Sequence, residues 1–315
     1  MRWKSLFAVF FGLLMVGVTA GSAAAMPNHQ GKQQFSYSEF VKDLNNQQNT
    51  LGRQFLTWYS EHSILLPPLN SITVQELFAR FLRENPNALL LLSKIHQKQV
   101  FLVGYNSFLM SNPAFTKSAG INSRIYLYTP TTNHEQIKVT IYYLKVHIVR
   151  WDITYGEIDR VNWLYTGSKA REFYDEWGEV TTVSGYSTAI IGLGTTFIKF
   201  PNPVAIAIGT ALAAAGITIT YESSEMDKYY ESTGWQYIWM VLENDYYYPW
   251  VPGYNMASTF TIYGYNAQTG KKYTFLPRIK IPGVLGYTNE YIASAISKVA
   301  HDWVNSHGTG WVTVA

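Results

Sequence analysis

The chain has 315 residues, with 24 Lys and Arg against 21 Asp and Glu for a formal charge of +3, and no cysteine. The missing cysteine excludes disulfides, thiol nucleophiles and thiolate metal sites, and the near-balanced charge without a basic tract argues against nucleic acid as a partner. With 24 Tyr, 16 Phe and 10 Trp the chain is rich in aromatics, which suit membrane interfaces, sugar faces and β-sheet surfaces alike.

The N-terminus reads as an export signal. Arg2 and Lys4 make a basic start, Leu6 to Val18 an apolar run, and Ala23-Ala24-Ala25 a small-residue cleavage site. Cleavage after Ala25 leaves 22 basic against 21 acidic residues, a charge of +1. A secreted chain without cysteine fits export from a Gram-positive bacterium. Residues 1–25 are thus expected to be a signal peptide, 26–34 a polar disordered lead, and 35–315 a single α+β domain.

Within that domain, Phe40, Leu44, Leu51, Phe55 and Trp58 recur at helical spacing from Tyr37 to about His62, and Pro67-Pro68 stops the pattern. Thr73-Val-Gln-Glu76 has the form of a capping box before Leu77, Phe78, Phe81 and Leu82. Pro86 suits the first position of a third helix that carries Leu89 to Leu92. After Asn112-Pro113 the composition turns to Ile, Val, Tyr and Thr. Strands are expected over Ile121 to Thr129, Gln136 to Ile153 and Glu157 to Tyr165, the middle one long enough to bend or bulge. Gly167 to Glu179 returns to helical composition. Farther on, Ser258 to Tyr265 and Lys272 to Ile281 flank Asn266-Ala-Gln-Thr-Gly270 as a β-hairpin. Thr288 or Asn289 caps a last helix with Ile292, Ile296, Val299 and Trp303 on one stripe.

Between these parts lies the most informative segment. From Val180 to Tyr221 the only charged residue is Lys199, just before a Pro201-Asn202-Pro203 turn that splits the segment into two apolar halves of roughly 15–19 residues. Ala205, Gly209 and Ala213 lie four apart, as do Ala207, Ala211 and Ala215 and, in the first half, Thr188, Gly192 and Thr196, with Gly194 nearby. Rows of small residues at this spacing let helix backbones approach closely. Glu172, Asp175, Glu176 and Glu179 precede the hairpin, and Glu222, Glu225, Asp227 and Glu231 follow it. A single lysine at the tip with acidic ends behind it is the arrangement that an inside-negative membrane potential draws inward.

A Gly/Ala-rich apolar hairpin with a central turn, charged flanks and a water-soluble host resembles the membrane-inserting hairpins of colicin-type pore-forming bacteriocins and helical pore-forming toxins. The likeness covers 180–221, about an eighth of the chain, and departs from colicin pore domains in having strands on both sides. It implies a membrane-insertion role for Gly192, Gly194, Lys199, Pro201, Pro203, Gly209 and Gly216, with Trp235, Trp239, Tyr247 and Trp250 as interfacial aromatics. The implied partner is the bilayer of a target cell, with oligomers in the membrane and a separate immunity protein compatible with it, and no cofactor or metal. The hairpin is expected to be stored between the N-terminal helices and the sheet. The alternative is a non-catalytic cell-envelope or glycan-binding protein in which the hairpin is only core.

Enzyme signatures are weak. His134-Glu135 is not followed by a second His at zinc-protease spacing, and no G-x-S-x-G is present. Asp152, Glu157 and Asp159 lie among Trp151, Tyr155 and Trp163 in the manner of glycosidase carboxylates beside stacking rings, but carboxylates flanking strands are commoner as turn residues. His301 and His307 read as a solvated pair, and the chain is read as a non-enzyme.

Overall fold

The computed structural model describes residues 36–111, 135–148, 150–178, 191–215, 237–253, 256–265 and 272–314. The expected signal peptide, the polar lead, the strand at 121–129, Gly216 and Trp235 lie outside them. The α+β class is as expected. Helices α1 (Tyr37–His62), α2 (Val74–Glu84) and α3 (Pro86–Ser111) come first, followed by strands β1 (Glu135–Ile148) and β2 (Trp151–Thr166). Helix α4 (Gly167–Gly178), a π-helical turn at Gly194–Ile198 and helix α5 (202–215) follow. Strands β3 (Tyr237–Tyr247), β4 (Met256–Tyr265) and β5 (Lys272–Lys280), helix α6 (Asn289–His307) and strand β6 (Val312–Val314) complete the order. The six strands form one sheet, β5-β4-β3-β2-β1-β6, antiparallel throughout.

The N-terminal helices begin where local chemistry starts them. The Ser36 hydroxyl caps α1 by accepting from the Glu39 amide, and Leu44, Leu51, Phe55 and Trp58 are its buried stripe. The capping box expected at α2 does not form. Asn70 caps the preceding turn by accepting from the Ile72 and Thr73 amides, and the Thr73 hydroxyl is spent on Pro68 O at 2.6 Å. The helix starts at the expected place because the Thr73 carbonyl still accepts from Leu77. Phe55 sets its ring edge-on to Phe78 and Phe81, and Trp58 Nε1 donates to Glu84 at 2.9 Å.

The strand expected over Gln136 to Ile153 is two strands. The chain reverses between Ile148 and Trp151, which face each other across β1 and β2. A bulge does occur in this pair, with Leu144 opposite Gly156 and Lys145 opposite Thr154, so that Tyr155 is the extra residue in β2. Its effect on side-chain phase is large. Ile153 and Tyr155 join the core under α1–α3, whereas Val161, Trp163 and Tyr165 join the core on the opposite face. Gly156 is needed there, because a Cβ would collide with the backbone carbonyl of Tyr246. Gly156→Ala should therefore destabilise the fold by about 3 kcal/mol, measured as a fall in the urea midpoint at unchanged slope.

The two cores settle where the hairpin is kept. Helices α1–α3 pack on one face with Leu144, Val146, Ile148, Ile153, Tyr155 and Tyr247. On the other face α5, with Val204, Ala207, Ile208, Ala211 and Leu212, packs with α4 and α6 over Ile137, Val139, Trp163, Met240 and Phe260. The expectation that the N-terminal helices cover the hairpin is thus corrected: the sheet lies between them. The sequence could not decide this, since both helix groups offer an apolar stripe to a sheet with two apolar faces.

The C-terminal helix matches expectation. Thr288 caps α6 by accepting from the Tyr291 amide, and Ile292, Ile296 and Trp303 are buried, with Val299 at the margin. The β4–β5 hairpin pairs as expected from Lys272 opposite Tyr265.

Candidate functional site

Two features concentrate unusual chemistry on the same face of the sheet: the apolar hairpin and a buried carboxylate pair beneath α6.

The described part of the hairpin runs from Ile191 to residue 215 as two helical arms. Lys199 sits at the tip in the left-handed conformation, with φ of 61°, and its amide donates to Gly194 O. Pro201 starts the second arm, its carbonyl accepting from Val204 and Ala205, and Pro203 occupies the first turn, where the missing amide proton costs nothing. Gly209 lies at the contact between the arms: a Cβ there would come within 2.8 Å of Ile191 Cδ1. Gly194 lies under the Phe200 ring, where a Cβ would reach 2.6 Å from Cδ2. A Cβ on Gly192 would meet nothing within 4 Å among the described residues, so Gly192 is not where the described arms touch.

One side of the hairpin is core and the other carries no charge except at the tip. Thr196, Phe197, Lys199 and Ile206 are exposed, and Gly209, Thr210 and Ala213 are half-buried. A surface helix ordinarily places charged residues on its outer face. Two threonine hydroxyls turn back on their own helices, Thr195 Oγ1 donating to Ile191 O at 2.9 Å and Thr210 Oγ1 to Ile206 O at 2.8 Å. Such bonds leave the hydroxyls needing no water. No helix among the described residues is long and apolar enough to cross a membrane, and α5 spans about 21 Å.

Two of the aromatics assigned to a membrane interface, Trp239 and Tyr247, are corrected. Trp239 is buried and its Nε1 donates to Asn162 at 3.0 Å, and Tyr247 is buried edge-on to the His96 ring. Neither presents a ring to the surface. Trp250 is half-buried against Phe78. Strand alternation aims Trp239 and Tyr247 at the α1–α3 side, away from the hairpin.

The second feature is one that the chain pattern only half reveals. Glu157 and Asp159 lie two apart in β2 and so share a face, the face of Val161 and Trp163. Both are buried, Asp159 completely, at 0% exposure. Glu157 Oε1 accepts from the Tyr246 hydroxyl, from Ser297 at 3.3 Å and from His301 Nε2 at 2.8 Å, and its Oε2 accepts from Tyr248 at 3.0 Å. Asp159 Oδ2 accepts from Asn244 Nδ2 at 3.1 Å, while Asn244 is held by Ala293 O and Ser258. Asp159 Oδ1 has no donor among the described residues. Burial, then the Glu157 charge, pushes the Asp159 carboxyl up to about 7. Burial also works against Glu157 ionisation, but the bonds from Tyr246, His301 and Tyr248 outweigh it and hold the carboxyl below its ordinary value. Burial and the neighbouring carboxylates push the Tyr246 and Tyr248 hydroxyls upward, so both stay protonated donors.

This arrangement separates the three carboxylates once grouped as glycosidase candidates. Asp152 is exposed at the β1–β2 end and pairs with His147 at 2.9 Å. The expected His301–His307 pair is also dissolved: His301 faces Glu157, and His307 stacks on Trp303. The signal for His301 was its spacing, since residues 293, 297 and 301 form a four-residue row along the edge of the α6 stripe.

On the opposite face a charge-balanced network ties α3 to the sheet. Arg278 Nη2 pairs with Glu243 at 2.7 Å, Arg160 lies over Trp239 and donates to Val103 O, and His96 Nε2 meets Asp245 at 2.8 Å. Two arginines against two carboxylates make this a structural clasp. Compared with known proteins, the chain matches no family model, no curated relative and no solved structure.

Proposed function

We propose that this is an exported, membrane-active protein of the pore-forming bacteriocin or toxin kind, which keeps an apolar helical hairpin against its sheet and inserts it into a target bilayer. The observation that carries the proposal is the outer side of the hairpin: around Phe197, Ile206, Gly209 and Thr210 it has no charge except Lys199 at the tip. Two of its hydroxyls, those of Thr195 and Thr210, are already bonded within the helices. Leaving the sheet would cost α5 its packing on Trp163 and Phe260, and burial of both sides of the hairpin in lipid would offset that loss. The Gly209–Ile191 contact keeps the two arms together during the transfer.

The competing reading, a cell-envelope binding protein with the hairpin as permanent core, is favoured by the complete burial of Val204 and Ala207. Dye release from liposomes separates the two. Submicromolar full-length protein is expected to empty vesicles of anionic lipid within minutes. Intact vesicles at tenfold higher protein, with the protein bound to isolated cell envelopes instead, would reverse the assignment.

A further inference from the structure

The carboxylate pair under α6 is independent of the membrane reading. We infer that Glu157, Asp159 and His301 form a binding site for one divalent transition-metal ion of the zinc class, joining β2 to α6. One ligand atom from each of the three residues lies within 4.8 Å of the others. Bonds of about 2.0–2.2 Å in a tetrahedral site place the ligands roughly 3.3–3.6 Å apart, so side-chain adjustment suffices to close the site. Among the described residues Asp159 Oδ1 is the one oxygen of the two carboxylates without a donor, on a side chain with no solvent exposure. A buried, unsatisfied carboxylate oxygen beside a second carboxylate calls for a cation.

The donor set selects the class of ion. One imidazole nitrogen with two carboxylate oxygens suits zinc, manganese or iron, whereas calcium and magnesium favour oxygen ligands in larger number. The surrounding groups already fix the ligands: Tyr248 holds Glu157 Oε2, and Asn244 holds Asp159 Oδ2. On binding, His301 Nε2 would exchange its bond with Glu157 for the metal. The His301 side chain is 37% exposed while Glu157 is nearly covered, so the ion enters past His301. Ser297 or water completes the coordination.

The test uses the full chain stripped with EDTA, dialysed, and titrated calorimetrically with zinc chloride at pH 7.5. One zinc per chain is expected at micromolar or tighter affinity, with manganese weaker and magnesium not binding. Asp159→Asn and His301→Gln should each weaken zinc about 100-fold, and His147→Ala, at the exposed His147–Asp152 pair, should leave affinity unchanged. Circular dichroism of each metal-free variant establishes that it is folded, and Asp159→Asn, which keeps the carboxylate's shape, is the variant least disturbed. Absence of stoichiometric zinc, unchanged affinity in both site variants, or tighter magnesium than zinc would overturn the inference and leave a proton as the cluster's only cation.

Discussion

Lys199→Glu is expected to reduce vesicle permeabilisation more than a hundredfold when the vesicle interior is negative by 100 mV, while leaving the melting temperature nearly unchanged. Moving one charge through that potential is worth about 2.3 kcal/mol, and the substitution reverses the sign of the tip, a change of two charges. Lys199 is exposed and holds a positive φ that is unfavourable for any residue with a side chain, so glutamate incurs the same backbone strain as lysine. The wild-type protein should leak vesicles faster as the interior is made more negative, and the variant more slowly. Leakage indifferent to both potential and substitution would show that this tip is not what crosses.

The second large effect concerns Asp159 and pH. In EDTA, Asp159→Asn should gain stability over the wild type as pH rises from about 5 to 8. The native carboxyl titrates near 7 instead of its ordinary 3.8 because burial and the Glu157 charge oppose its ionisation. Below pH 4 folded and unfolded chains both hold the proton. Between 4 and 7 only the native chain holds it, so the unfolded state gains with rising pH, and the stabilisation is fully lost above 7. The whole shift corresponds to about 4 kcal/mol, of which about 3 kcal/mol falls above pH 5. Asparagine has no proton to lose and can direct its amide at Glu157, removing this slope. The lowered Glu157 carboxyl acts in the opposite direction, its stabilisation fading as pH falls through the acidic range, so the comparison is made above pH 5. Urea midpoints measured at half-unit intervals would give the difference, and a difference that does not change with pH would mean that Asp159 ionises normally.

Much of this architecture was legible in the chain because it depends on neighbours in sequence. The stripe from Leu44 to Trp58, the proline at the start of α3, the Thr288 cap and the two helical arms described over 191–215 follow from periods, caps and turn residues acting over a few positions. The α2 capping pattern showed where such reasoning stops: Asn70 and Pro68 compete for the same groups, and the nearer turn takes the Thr73 hydroxyl. The division of Gln136 to Ile153 was likewise hidden, since an apolar β run does not record where it pairs with itself.

Composition and spacing alone determined that the chain carries an apolar hairpin with one tip lysine, and that Glu157 and Asp159 share a strand face. Only the tertiary structure decided what surrounds them. The extra residue at the β2 bulge sends Tyr155 to one face and Glu157 to the other, where α6 brings His301 from 144 positions away to within 2.8 Å. The same layering puts the hairpin on the opposite face from α1–α3 and turns Trp239 and Tyr247 into core. A local pattern fixes which side of an element is apolar, but the partner that covers it is chosen by the packing of the whole chain, where many apolar faces compete for one sheet.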